Sequence, residues 1–139
     1  LEAGGGNIAY TGKQYICYAW TSIDGYSKFG SYIGNGNADG AFIYTGFKPA
    51  MVIIRKSSGA PWMMYDNKRN PYNLVNNKLA ASHSSAENAG AFSTQSQNVM
   101  DFYSNGFKWR DALGNANGSD ADYIYMAWAE MPFKYATER

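Results

Sequence analysis

The sequence predicts an all-β domain, a β-sandwich or jelly roll with antiparallel strands and long loops. Aromatic residues make up 17% of the chain, including 12 Tyr and 4 Trp, whereas Leu is scarce. Aromatic side chains favour the half-buried surfaces of sheets, while helical cores rely on Leu and Ala. The 15 Gly residues, together with many Asn, supply turns because both residue types tolerate positive φ. Many short strands joined by turns are typical of sandwiches.

Length and charge narrow the range of functions. A chain of 139 residues fits one domain of ordinary size. The net charge is +1 and the basic residues are not clustered, so no nucleic-acid partner is expected. No apolar run approaches the roughly 20 residues that span a bilayer, so membrane insertion is not expected either. Residues 1–12 are rich in Gly and resemble a linker or arm, and residues 13–139 form the predicted sandwich.

Alternating apolar patterns locate the strands. The run at 50–56 is the most apolar and is predicted to lie centrally, with 61–66 as its partner. Asn105-Gly106 between apolar residues predicts a hairpin. Residues 21–39 are dense in turns and should hold only short strands. The predicted strands are 15–20, 41–45, 50–56, 61–66, 99–103, 107–110 and 123–130.

Residues 67–90 form a polar, Asn-rich excursion between two predicted strands. Its apolar residues Leu74, Val75 and Leu79 are expected to anchor it on the sheet. One helical turn is predicted within 76–81. The excursion is therefore the longest predicted loop.

One short sequence occurs twice. Residues 15–20 (YICYAW) closely match residues 123–128 (YIYMAW), so alternation sends similar side chains to the same faces. Two interpretations are open. The copies are two similar strands of one sheet, or the first copy ends a preceding repeat, which makes residues 13–29 a junction. In either case Cys17 is predicted to be a small apolar filler within a strand.

Residues capable of catalysis or metal binding are sparse. His83 is the only histidine and Cys17 the only cysteine, which are too few for a zinc site. Asn35, Asn37 and Asp39 resemble the start of a calcium loop, but the first carboxylate and the final Glu are missing. No spacing singles out a pair of acids for glycoside hydrolysis. The sequence therefore predicts no catalytic residue, no metal and no cofactor.

The best candidate for binding lies where the strand at 61–66 enters the long loop. Aromatic faces and amide, carboxylate and guanidinium groups occur together there, as in many sugar-binding sites, and loops on rigid scaffolds often carry recognition. A structural interpretation is equally open: Trp62 and Met64 face the core, and an Asp66–Arg69 ion pair holds the loop. The candidate ligand-binding residues are Trp62, Tyr65, Asp66, Asn67, Arg69, Tyr72 and, beside the Asn-Gly hairpin, Trp109.

An ordered set of motifs spreads over residues 15–139. Its parts are GYSKFGSYIGNGNADG at 25–40, YTGFKPA at 44–50, Trp62, DNKR at 66–69, Leu79, SNGFK at 104–108 and YIYMAWAEMPF at 123–133. This set resembles an uncharacterised domain of phage tail and tail-fibre-like proteins that is frequent in marine phages.

The resemblance implies a virion protein located in a tail or surface appendage. It implies a sandwich in the style of concanavalin-like domains and assembly as a homo-oligomer, with a trimer favoured by analogy with tail fibres. The resemblance also implies recognition of host-surface glycans, and it identifies no catalytic residue. Two alternatives are a fragment of a carbohydrate-active depolymerase and a purely structural module of a filament or capsid.

Overall fold

The computed structural model describes residues 12, 14–87 and 99–132, and these form strands and loops without a helix. Within them, no helix is long and apolar enough to cross a membrane. The strands are β1 (Ser27–Ile33), β2 (Phe42–Tyr44), β3 (Pro49–Lys56), β4 (Met63–Asp66), β5 (Leu79–Ala80), β6 (Met100–Tyr103), β7 (Gly106–Trp109) and β8 (Asp122–Ala129).

The strands form two sheets, and the paired strands within each sheet run antiparallel. The larger sheet has the order β1-β8-β3-β4-β5, and the smaller has the order β2-β7-β6. Strand β8 pairs on both sides, with Trp128 opposite Ser27 of β1 and opposite Met51 of β3. The first and last described strands are therefore neighbours in the larger sheet.

Alternation along each strand sends one set of side chains between the sheets. In β8, Tyr123, Tyr125 and Ala127 are buried, whereas Ile124 between them is exposed. This period of two is what a strand with one face toward a core requires. The apolar pattern of the sequence therefore fixes which face of β8 is buried.

The core is built largely from aromatic rings. Tyr32 stacks on Tyr123 with ring centroids 4.9 Å apart, and Tyr65 meets Trp109 edge-on at 5.8 Å. These are the geometries that aromatic pairs prefer. Because Trp109 belongs to the smaller sheet and Tyr65 to the larger, such contacts join the two layers. The predicted all-β sandwich is confirmed.

The hairpin predicted around Asn105-Gly106 is also confirmed, with a shift of one residue. Ser104 and Asn105 form the turn, and Gly106 opens β7 opposite Tyr103. A Cβ on Gly106 would collide with the backbone carbonyl oxygen of Ile43 in the adjacent strand β2. Glycine is required here for close approach of two backbones rather than for the turn.

The strand predicted at 15–20 is wrong. These residues belong to no strand, and Ile16 and Tyr18 are among the most exposed apolar side chains described. Cys17 is exposed as well, so its prediction as a core filler is also wrong. A segment with an alternating pattern forms a strand only when the edge of a neighbouring strand pairs with its backbone, and no edge does so here.

Three further predictions differ from the structure. Residues 21–39 were expected to hold only short strands, yet β1 spans seven residues. The helical turn predicted within 76–81 is replaced by the short strand β5. Of the three expected anchors, Val75 is buried, Leu79 is partly buried in β5, and Leu74 is half exposed.

Candidate functional site

The long loop begins at Asp66, whose carboxylate reverses the chain after β4. Asp66 Oδ1 accepts hydrogen bonds from the backbone amides of Lys68 (2.9 Å) and Arg69 (2.8 Å). Its Oδ2 forms an ion pair with Arg69 at 2.8 Å, and Arg69 also lies 3.3 Å from Glu87. This arrangement is an Asx turn reinforced by charge. The carboxylate of Asp66 and the guanidinium of Arg69 therefore hold the loop in shape.

Asn70 closes the base of the loop. Its Oδ1 accepts from the backbone amides of Asn76 (3.1 Å) and Asn77 (2.7 Å), and its Nδ2 donates to Asn76 Oδ1 at 3.1 Å. One amide side chain thus satisfies two backbone donors and one side-chain acceptor. The segment between Asn70 and Asn76 is pinched into a compact loop.

Two further contacts fix this loop against strand β6. Asn73 donates to the carbonyl of Phe102 at 3.0 Å and accepts from its amide at 2.9 Å, as a neighbouring strand would. Val75 then exchanges two backbone hydrogen bonds with Met100, at 2.7 and 3.1 Å. The loop therefore forms an anchored continuation of the smaller sheet.

A half-open cavity of about 210 Å³ lies beside the loop. Tyr72 lines it and is 83% exposed, which leaves its ring available at the surface. We call this the amide cavity because three asparagines line it. Its lining residues are Lys48, Asn67, Asn70, Pro71, Tyr72, Asn73, Val75 and Phe102.

The polar wall of the amide cavity is an ordered network. Asn67 Nδ2 donates to Glu130 at 2.7 Å, and Glu130 forms an ion pair with Lys48 at 2.7 Å. Asn67 Oδ1 is shielded from solvent and has no hydrogen-bond partner among the described residues. Unpaired shielded acceptors are uncommon in folded proteins. The side chain of Asn67 is thus held through its Nδ2 group.

The seven predicted binding residues separate into groups. Asn67 and Tyr72 line the amide cavity, whereas Asp66 and Arg69 hold the loop, as the structural interpretation proposed for that pair. Tyr65 and Trp109 are fully buried. Neither can touch a ligand at the surface, which corrects the prediction for those two residues.

The remaining candidate, Trp62, lies away from the cavity on the outer face of the larger sheet. It is partly buried beneath the guanidinium of Arg55, 5.5 Å from the ring centroid, and its backbone amide donates to Ser82 Oγ at 3.0 Å. Met63 and Tyr65 face the core instead, so the expected inward orientation of Trp62 and Met64 is wrong.

A second, larger cavity of about 460 Å³ went unpredicted. Asp24, Lys28 and the exposed Tyr44 are among the residues that line it. We call it the Tyr44 cavity. The alternation in β2, with Ile43 buried between exposed Phe42 and Tyr44, is a sequence feature that could have pointed to it. The other lining residues are Gly25, Thr45, Gly46, Phe47 and Met131.

The segment that resembles a calcium loop forms a hydrogen-bonded turn. Asn35 Oδ1 accepts from the amide of Asn37 at 3.0 Å, and Asn37 Oδ1 accepts from the amide of Asp39 at 2.8 Å. Asp39 pairs with Lys108 at 2.5 Å, and the hydrogen bond from this ammonium lowers the pKa of Asp39. The buried Asn117 completes the turn by donating to Asn35 Oδ1 at 2.8 Å. The oxygens that a cation would need are already engaged.

Acidic side chains of the described residues are mostly neutralised by bases. Asp101 pairs with Arg110 at 2.5 Å, and this contact raises the pKa of Arg110. Asp39, Asp66, Glu87 and Glu130 likewise each contact a Lys or Arg. No group of three or more metal-binding side chains occurs within the described ranges.

Two antiparallel sheets of five and three strands, packed through an aromatic core, define an all-β sandwich domain. The chain belongs to a family described as a domain of unknown function, DUF7483, whose model matches residues 2–132. No curated protein and no solved structure matches the chain.

Proposed function

We propose that this domain is a non-catalytic module of a phage virion, in a tail fibre or similar appendage, that assembles with its own copies and binds glycans of the host surface. The virion setting is supported by the resemblance in motifs along residues 15–139. The binding role is supported by the amide cavity, where the exposed ring of Tyr72 stands beside side-chain amides.

The amide cavity has the chemistry that sugars require. An exposed aromatic ring packs against the C–H face of a pyranose, and each side-chain amide has a second N–H that can donate to a hydroxyl group. Asn67, Asn70 and Asn73 are fixed by their own hydrogen bonds. A preorganised site loses less entropy when a ligand binds. The exposed Tyr72 beside these amides is the observation that carries the proposal.

An array of bacterial surface polysaccharides tests the binding role. We expect the full chain to bind a subset of them, and Tyr72→Ala to weaken binding about tenfold or more, since stacking on an aromatic ring contributes on the order of 1–2 kcal/mol. Because Tyr72 lies at the surface, the variant should keep the circular dichroism spectrum and unfolding midpoint of the parent chain.

Tyr44→Ala is the matched control, because Tyr44 is also exposed but lines the other cavity. Loss of binding in Tyr72→Ala alone supports the amide cavity. Loss in Tyr44→Ala alone would move the glycan site to the Tyr44 cavity and contradict the assignment. Absence of binding across the array would contradict the recognition role and favour a purely structural module.

A depolymerase fragment is the alternative from a different functional class. Glycoside hydrolysis requires one protonated and one ionised carboxyl group. Asp66, Asp101 and Glu130 are each engaged in an ion pair with a Lys or Arg, which occupies their carboxyl groups. Release of reducing ends from a bound polysaccharide would support the enzyme and overturn the binding module.

A further inference from the structure

Residues 15–20, which we call the YICYAW segment, have the pattern of an interior strand but lie outside the sheets. The segment is exposed along its length, with Ile16 82% exposed. Its near-copy at 123–128 lies within β8, which accepts neighbours on both sides. The family model begins at residue 2 and therefore includes the YICYAW segment.

Aromatic contacts hold the segment near the outer face of the larger sheet. Tyr18 stacks on Trp20 at 6.0 Å, Trp20 on Phe29 at 6.3 Å, and Phe29 meets Trp128 edge-on at 5.7 Å. Phe29 and Trp128 point away from the core, because Tyr125 and Ala127 occupy the inner positions of β8. Trp20 therefore lies on the outer side, as Trp128 does in β8.

The turn between the segment and β1 sets a conflicting register. Ile23 and Ser27 exchange both backbone hydrogen bonds, at 2.9 and 3.0 Å, as the closing pair of a hairpin. Continuing that hairpin would place Thr21 opposite Phe29, and Trp20 and Tyr18 would then point to the core side of β1. A shift of one residue exchanges the two faces of a strand. The segment cannot pair with its own β1 in this register and keep Trp20 outside.

Strand β1 is the edge of the larger sheet in the described chain. Its odd-numbered residues direct their backbone groups away from β8: the amide of Ser27 donates to Ile23, and that of Phe29 donates to Ser22 Oγ at 3.1 Å. By the same alternation, the backbone groups of Ser31 and Ile33 point outward. Ile23 and Ser22 cover this edge at Ser27 and Phe29, so the part that is open to an additional strand begins at Ser31.

We propose that the YICYAW segment pairs as an antiparallel strand with the outer edge of β1 in a second copy of this chain. A segment from another copy is free of the Ile23–Ser27 turn, so it can shift by one residue. Ile16, Tyr18 and Trp20 then lie outside, continuing the aromatic row at Phe29. The register that copies β8 places Ile16 opposite Ser31, on the open part of the edge. Tyr18 and Trp20 then replace Ser22 and Ile23 of the acceptor copy at Phe29 and Ser27, and the even-numbered residues of the segment hydrogen bond to the edge.

This inference rests on the assembly half of the proposed function and identifies the contact. Each copy contributes one donor segment and one acceptor edge. Reciprocal exchange therefore closes a dimer, and head-to-tail exchange closes a ring such as a trimer. The mass of the assembly distinguishes the two closures.

Proline substitutions test the register, because proline removes one backbone donor. In a Cys17→Ser background, Ile16→Pro removes an amide that the proposed pairing uses. Cys17→Pro removes the adjacent amide, which points to solvent in that pairing. Sedimentation equilibrium over a wide concentration range measures self-association of the full chain.

We expect the Cys17→Ser chain to associate reversibly, Ile16→Pro to weaken association about tenfold or more, and Cys17→Pro to change it less than about threefold. Circular dichroism should show both variants folded, because neither position contributes to the core. Equal effects of the two prolines, or a larger effect of Cys17→Pro, would overturn the proposed strand pairing.

Two outcomes separate this inference from the proposed function. An oligomer unaffected by either proline overturns the strand pairing and leaves assembly through another surface. A monomer at every concentration overturns both the pairing and the assembly role. Glycan binding is measured independently on the array, where Tyr72→Ala tests it.

Discussion

Two segments of nearly the same sequence occupy opposite environments in this domain. In β8, Tyr123 is fully buried and stacks on Tyr32 of β1. Tyr15 occupies the equivalent position of the YICYAW segment and is half exposed. The side-chain pattern alone therefore does not decide whether a segment becomes a strand. Whether it becomes a strand depends on the strand edges that are available to pair with it.

Contacts beyond the sheet explain why β8 holds its place. The hydroxyl of Tyr123 donates to the carbonyl of Gly114 at 2.7 Å and accepts from the amide of Gly118 at 2.9 Å. Strands β1 and β3 pair with the backbone of β8 on its two sides. By contrast, a turn ties the YICYAW segment to β1 in a register that reverses its faces.

Truncating the matched tyrosines should give the largest contrast. We expect Tyr123→Ala to lower the free energy of unfolding by about 3–5 kcal/mol, because it removes a buried ring and leaves a cavity. Tyr15→Ala should change it by less than about 0.5 kcal/mol, as exposed substitutions usually do. Urea denaturation of the two variants measures both values. Similar losses would show that the segment is packed in the same way as β8.

The buried tyrosines should also make stability depend on alkaline pH. Burial raises the pKa values of Tyr32, Tyr65, Tyr123 and Tyr125. Because these folded values lie above the ordinary value of about 10, their contribution is complete below pH ~10 and is lost as the pH rises. We expect the free energy of unfolding to fall as the pH rises above ~10.

Tyr65→Phe sharpens this expectation, since it removes one of the four hydroxyl groups. Relative to its own value at pH 8, the variant should lose less stability by pH ~11 than the parent chain. Urea titrations at each pH provide the measurement. An identical slope in the two proteins would show that ionisation of Tyr65 does not oppose folding.

Much of the sandwich could be predicted from local patterns. Alternation located β2, β3, β4, β6, β7 and β8, because each has a neighbouring strand in the fold. The pairing of β3 with β4 followed from the short turn between them. The ion pair of Asp66 and Arg69 could also be predicted, since the two residues lie three positions apart in a tight turn.

The candidate site was less predictable, because composition does not specify the direction of a side chain. The alternation of β4 is shifted by one residue from the expected one, so Met63 and Tyr65 face the core in place of Trp62 and Met64. Trp109 lies in β7 with its ring toward the same core. The amide cavity depends on Asn73 meeting Phe102 and on Asn67 meeting Glu130, which are distant in sequence, and no local pattern encodes such contacts.

Hydrogen exchange at single-residue resolution, measured at low and high protein concentration, tests the central claim most directly. We expect the amides of residues 123–128 to be protected at both concentrations. The amides of Ile16 and Tyr18 should exchange freely in dilute solution and become protected on association, while those of Cys17 and Ala19 stay unprotected. Protection of the whole YICYAW segment in the dilute monomer would contradict the account, because it would mean that one copy already pairs the segment within its own sheet.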